Sequence, residues 1–191
     1  PDTELLVETA LALLPNEAQT IIDLGTGTGA IALALASERP KWSLLAIDQS
    51  AEAVALAEDN RRAHTLENVS VLQSDWFAQV SASNFNAIIS NPPYIDAKDE
   101  HLQQSDVKFE PLSALVAGNE GYSDLEHIAG EAWPRLAVGG WLLLEHGYQQ
   151  APRVKEILAK CRYENISTRE DLAGMPRVTL GQKLSENAAH E

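Results

Sequence analysis

One cysteine, Cys161, and one methionine stand among 191 residues. A lone thiol closes no internal disulfide, and no His/Cys group has metal-ligand spacing, so no disulfide scaffold and no metal site is expected. Cys161 reads as a buried structural thiol. Long apolar runs are missing too. Nothing approaches the roughly 18 consecutive apolar residues of a membrane span. Asp2, Glu4 and Glu8 occupy the place of the basic start of a secretory signal. Positive charge is scarce: 14 Lys and Arg face 28 Asp and Glu, for a net charge of −14. A protein that grips nucleic acid by its phosphates needs a basic surface, so stable nucleic-acid binding is not expected. The balance suits a cytoplasmic protein kept soluble by self-repulsion, with a partner that presents a basic or neutral peptide.

What is present is one domain's worth of core, with 45% hydrophobic residues and no low-complexity tract or internal repeat. Residues 4–14 have helical spacing through Leu5, Leu6, Ala10 and Leu13, with Asp2 or Thr3 as cap and Pro15 as terminator. Short apolar runs at 20–24, 43–47, 69–72 and 86–90 read as buried strands. Helices are predicted over 29–38, from the Ser50 cap to about residue 62, over 123–136 and over 151–161. Gly139-Gly140 is expected to turn the chain into a fifth strand, 141–145, and 165–168 with 177–180 to form a closing pair. The loop from residue 92 to about 120 exceeds ordinary connections, and long loops in compact domains are usually functional. Alternating strand and helix predicts an α/β domain with a mostly parallel sheet and helices on both faces. Ligands of such sheets bind at the strand C-termini, and Asp23, Asp48, Asp75, Asn91 and Glu145 all fall at that edge.

Gly25-Thr26-Gly27-Thr28-Gly29-Ala30 follows a strand and opens a helix, and Asp48 ends the next strand about 20 residues on. Absent side chains let the loop turn tightly and approach a nucleotide, while an acid can take both ribose hydroxyls. The spacing also satisfies the dinucleotide fingerprint, so an NAD-dependent oxidoreductase stays open at this point. Two features favour S-adenosylmethionine. Asp23 stands just before the loop, where a pyrophosphate would be repelled and an ammonium attracted. Asp75-Trp76 follows strand three, where an acid can meet the adenine amino group and an indole its ring.

Asn91-Pro92-Pro93-Tyr94 ends strand four. An amide or aromatic amino nitrogen is a weak nucleophile because its lone pair is delocalised. Two acceptors, the Asn91 side-chain oxygen and the Pro92 carbonyl, can orient that lone pair and favour the charge that develops on nitrogen. Consecutive prolines stiffen the loop, and Tyr94 offers a flat apolar surface.

The segments Asp23-Leu24-Gly25-Thr26-Gly27-Thr28-Gly29, Ser74-Asp75-Trp76-Phe77 and Ser90-Asn91-Pro92-Pro93-Tyr94-Ile95 together resemble the HemK/PrmC family of N5-glutamine methyltransferases. Pro1-Asp2-Thr3-Glu4, Phe109-Glu110-Pro111-Leu112-Ser113-Ala114-Leu115, Leu144-Glu145-His146-Gly147 and Arg177-Val178-Thr179-Leu180-Gly181 match as well. The resemblance implies a class I, Rossmann-like fold with a seven-stranded sheet. It implies S-adenosylmethionine as methyl donor, S-adenosylhomocysteine as product, and the Gly-Gly-Gln loop of class 1 peptide chain release factors as substrate. By motif, Gly25, Thr26, Gly27, Thr28, Gly29, Asp48, Asp75, Trp76 and Asn91 hold the cofactor, and Asn91, Pro92, Pro93 and Tyr94 hold the glutamine amide. A catalytic domain over 1–183, a tail over 184–191 and a monomeric state are expected, with the family's N-terminal helical docking domain outside this chain. Methylation of a ribosomal-protein glutamine, adenine N6 methylation and a non-catalytic cofactor module remain the competing readings. His101, His127 and His146 read as solvated or structural, Glu145 as structural or substrate-facing, and residues 109–115 as shaping the substrate pocket.

Overall fold

The apolar runs become strands, and their alternation sorts the core into two layers. In the computed structural model, which describes residues 2–92, 95–96, 116–117 and 122–186, the elements follow the expected strand–helix alternation. Helix α1 (Asp2–Leu13) precedes β1 (Thr20–Leu24), α2 (Ala30–Glu38), β2 (Ser43–Asp48), α3 (Ala51–Ala63), β3 (Val69–Gln73) and β4 (Phe85–Ser90). A two-residue parallel pair follows, β5 (Ile95–Asp96) with β6 (Val116–Ala117). Then come α4 (Ser123–Ala132), a 3₁₀ turn (Trp133–Arg135), β7 (Leu136–Glu145), α5 (Ala151–Lys160), β8 (Glu164–Glu170) and β9 (Pro176–Gln182).

Seven strands form one sheet in the order β3-β2-β1-β4-β7-β9-β8, with β9 antiparallel to both of its neighbours. Successive residues of a strand face opposite sides. Ile22, Leu24, Ile88, Leu142 and Leu144 pack beneath α4 and α5, while Ile21, Ala87, Ile89 and Leu143 pack beneath α1 and α2. Strand order reverses between β1 and β4, the switch point at which open α/β sheets bind ligands.

Three boundaries differ from expectation. Asp2 and Thr3, read as caps, are already helical. Helix α4 stops at Ala132, because Pro134 allows only a 3₁₀ turn before the next strand. Gly139-Gly140 does not precede the fifth strand but lies inside β7. The pairing of β4 with β7 jumps from Phe85↔Leu136 to Ala87↔Trp141, so the glycines occupy an irregularity in a continuing strand. A Cβ at Gly140 would come within 2.8 Å of the Ala137 carbonyl and 2.9 Å of that of Phe85. The β9 end closes on this bulge. Buried Lys183 donates from Nζ to the Leu136 carbonyl at 2.9 Å and stands over the Trp133 ring.

Candidate active site

The loop after β1 is held by bonds from β2 and α3 and within itself. The Thr26 N–H donates to the Ile47 carbonyl (2.8 Å) and that of Gly29 to the Thr26 carbonyl (2.9 Å), while the Asn60 amide reaches across from α3 to the Thr28 carbonyl at 2.9 Å. Gly27 and Gly29 both have left-handed φ, +55° and +85°, where a side chain is strained. A Cβ on Gly29 would press on Leu33 at 3.2 Å and Ala57 at 3.3 Å, so that glycine lets α2 and α3 approach. Among the described residues a Cβ on Gly27 would meet nothing within 4 Å, so no described side chain covers the backbone there.

Three acids frame the loop. Asp48 accepts the Gly27 N–H at Oδ2 and the Ser50 N–H at Oδ1, both at 2.9 Å, which leaves lone pairs for a further donor on each oxygen. Asp23 is 1% exposed, and its Oδ2 accepts the Thr26 hydroxyl at 2.6 Å. Its Oδ1 is buried with no partner among the described residues. Burial pushes the Asp23 carboxyl up to about 6, with the Asp48 charge adding to the rise and the Thr26 hydroxyl and the Ala32 backbone N–H pulling against it. Asp75 is exposed after β3, beside half-buried Trp76, whose ring lies 3.7 Å from where a Gly25 Cβ would be.

On the other side of the switch point, Leu24 pairs with Ser90 and Ser90 with Leu144. The next residues, Gly25, Asn91 and Glu145, therefore form a row across β1, β4 and β7. Ser90 is fully buried and donates its hydroxyl to the Leu24 carbonyl at 2.8 Å, tying the β4 end to the β1 end. Asn91 is half-buried and Pro92 buried. Pro93, Tyr94, His101 and residues 109–115 lie outside the described residues.

Sequence reasoning missed two participants of this edge. Asp124, in the first turn of α4, has its carboxyl pushed up by burial and further by the charge of Asp75, with His127 opposing. Ser74, only quoted as part of a motif, is 3% exposed and bonded within the Trp76 turn. Asp124 depends on an element distant in sequence, and Ser74 on an irregular local turn that no periodicity marks. Cys161 departs from expectation: it is half-buried and lines a shallow groove with Gly130 and Trp133, because α5 ends there. His127 is exposed and His146 fully buried. A cavity of about 630 Å³, lined by Tyr148, Ala151, Pro152, Thr168, Glu170 and Pro176, contains none of the predicted cofactor residues. Among the described residues no helix is long and apolar enough to cross a membrane.

A seven-stranded, mostly parallel sheet with a glycine loop after β1 and an acid after β2 is the class I methyltransferase fold. Solved structures share it. A methyltransferase from Pyrococcus furiosus matches with a TM-score of 0.71 at 18% identity, over 95% of this chain and 81% of that one. The release factor-specific protein-(glutamine-N5) methyltransferase of Alicyclobacillus acidocaldarius matches at 0.60 and 27% identity, over 97% and 93%. The methyltransferase small domain model matches residues 1–108. Curated relatives named release factor glutamine methyltransferase are 56% identical in Pseudomonas aeruginosa and 51% identical in Escherichia coli K12, each over 95% of this chain. The chain spans 66% of the length of each of these two relatives. It belongs to the methyltransferase small domain family, in the HemK/PrmC branch to which these relatives belong.

Proposed function

We propose that this chain is the catalytic domain, residues 1–183, of a release factor glutamine methyltransferase. It transfers the methyl group of S-adenosylmethionine to the side-chain amide N5 of the Gly-Gly-Gln glutamine in class 1 peptide chain release factors, and S-adenosylhomocysteine leaves. The observation that carries this reading is the position of Asn91-Pro92 at the switch point, with the glycine loop on one side and Glu145 on the other. The names and identities of the relatives support the acceptor. The proposed place of action is the cytoplasm, where release factors work.

The residues present fit the cofactor. A methionine moiety carries an ammonium, and Asp23 offers beside the loop a buried oxygen without a close hydrogen bond among the described residues. Ribose hydroxyls donate, and Asp48 keeps free acceptor capacity on both carboxylate oxygens. Gly27 presents backbone that no described side chain covers, and Trp76 with Asp75 forms the adenine side. When bound, the cofactor supplies an electrophilic methyl on a sulfonium. Everything else falls to the chain. The Asn91 Oδ1 and the Pro92 carbonyl each accept one N–H of the glutamine amide, which turns its lone pair toward the donor. The same acceptors become more favourable as positive charge grows on nitrogen, so they act on the transition state more than on the bound amide. No strong base is needed, because the product amide loses its extra proton readily.

The test is mass spectrometry of a release factor incubated with enzyme and S-adenosylmethionine. A one-methyl gain on the Gly-Gly-Gln glutamine is expected. Methyl on a ribosomal protein or on adenine instead, with the release factor untouched, overturns the reading.

A further inference from the structure

We infer that Ser74 is a positioning residue for the cofactor's adenine side, because its hydroxyl holds Trp76 in the backbone conformation that lays the indole against the glycine loop. This rests on the reading above, in which Trp76 faces the cofactor. Trp76 has φ +45°, a left-handed conformation that few bulky residues adopt. Such strain persists only where surrounding bonds over-determine it, and it gathers at functional sites.

Here the surrounding bonds converge on one side chain. The Ser74 hydroxyl donates to the Trp76 carbonyl at 2.7 Å and accepts the Gln79 N–H at 3.0 Å. The Ser74 backbone N–H donates to the Asp48 carbonyl at 2.9 Å. Ser74 thus joins the residue proposed for the ribose to the residue proposed for the adenine. The Ser74 side chain itself is buried. Without it, the Trp76 carbonyl loses its donor and the Gln79 N–H its acceptor. The turn is then free to relax toward right-handed φ, which moves the indole away from Gly25.

Two measurements test this. In the ligand-free protein, the emission contributed by Trp76, taken as the difference against Trp76→Phe, shifts to longer wavelength in Ser74→Ala. In calorimetry with S-adenosylhomocysteine, Ser74→Ala binds about tenfold more weakly, Ser74→Thr restores most of the affinity, and in a Trp76→Ala background Ser74→Ala has no further effect. The KM for the acceptor protein does not change. An unshifted Trp76 emission overturns the inference, as does a Ser74→Ala loss that persists undiminished without the indole. If the unmodified chain binds no S-adenosylhomocysteine, the cofactor reading fails and this role with it. If it binds and the cycle couples while the release factor stays unmethylated, only the acceptor assignment fails.

Discussion

Two buried polar networks lie in the same sheet, one under the glycine loop and one across β7, β9 and β8, and they differ in completeness. The second is closed. The His146 Nδ1 lies 2.8 Å from the Gly147 carbonyl, which can only accept, so Nδ1 carries the proton. Burial keeps the ring neutral by pushing its pKa below the ordinary histidine value, so Nε2 accepts the Thr179 hydroxyl at 2.7 Å. The Thr179 oxygen in turn accepts the Thr168 hydroxyl at 2.8 Å. The first network is open, since among the described residues Asp23 keeps one buried oxygen without a close hydrogen bond. A buried polar atom that lacks a bond costs stability, and natural folds rarely keep one without a use. The closed network therefore reads as architecture and the open one as a binding site.

The largest expected effect breaks this comparison if it fails. Asp23→Asn removes the buried negative charge that the ammonium is proposed to meet. Breaking a buried ion pair costs about 3–5 kcal/mol, so S-adenosylmethionine affinity should fall by roughly 100-fold or more. Ligand-free stability should stay level or rise, since the destabilising charge is gone. Calorimetry and thermal melts read both quantities. A variant that melts much earlier yet binds normally would make Asp23 architecture after all.

The pH dependence has opposite signs in the two networks. Asp23 titrates near 6 when folded, above the ordinary carboxylate value, so the folded state holds its proton more tightly. Its contribution to stability is full at low pH and is lost as pH rises through about 6, a swing of about 3 kcal/mol. His146 runs the other way. The folded state resists protonation, so its contribution is present above the ordinary histidine value and lost as pH falls. Urea melts across pH 4–7 should therefore show Asp23→Asn losing a falling slope and His146→Gln losing a rising one. Equal profiles for the two variants would contradict the assignment.

Thr179→Val tests the closed network directly. It deprives the His146 Nε2 of its donor, inside the protein, and the half-buried Thr168 hydroxyl of its acceptor. The expected loss is about 1–3 kcal/mol of stability, with cofactor affinity unchanged. A cofactor affinity that falls with the stability would mean that the two networks are coupled through β4.

How much of this was legible in the sequence follows from which contacts are local. Strands β1 to β4 were predicted within a residue or so because buried parallel strands are continuous apolar runs. The glycine loop, Asp48 and Asn91 fell at the right edge because strand ends are local features. The sequence reading of β7 is short because Gly139-Gly140 reads as a turn, whereas pairing with Phe85 and with the Lys183 backbone carries the strand through it. The proximity of Asp124 to Asp75 arises from packing between distant segments, while the left-handed Trp76 and the Ser74 bonds form an irregular local turn, so no periodicity encodes any of them. The downward shift of His146 comes from burial and the charge of Arg177, 31 residues away, and is equally silent in the sequence.

The smallest predicted effect sharpens the comparison by testing a closed bond on the open side. The Asn60 amide donates to the Thr28 carbonyl at 2.9 Å and steadies the glycine loop from α3. If completeness marks architecture wherever it occurs, Asn60→Ala should act on the loop's stability rather than on the ligand. The bond is partly exposed, so water can replace the lost donor, and the net worth of such a bond is about 0.5–1.5 kcal/mol. The loop is also held by the backbone N–H groups of Thr26, Gly27 and Gly29 and by the Thr26 hydroxyl, which limits how far it can open. The expected outcome is a melting point lower by a few degrees and a cofactor affinity within about threefold of the parent protein. A loss as large as that of Asp23→Asn would show that the Thr28 carbonyl is itself a cofactor contact, and the line between the closed and open networks would have to be drawn inside the loop.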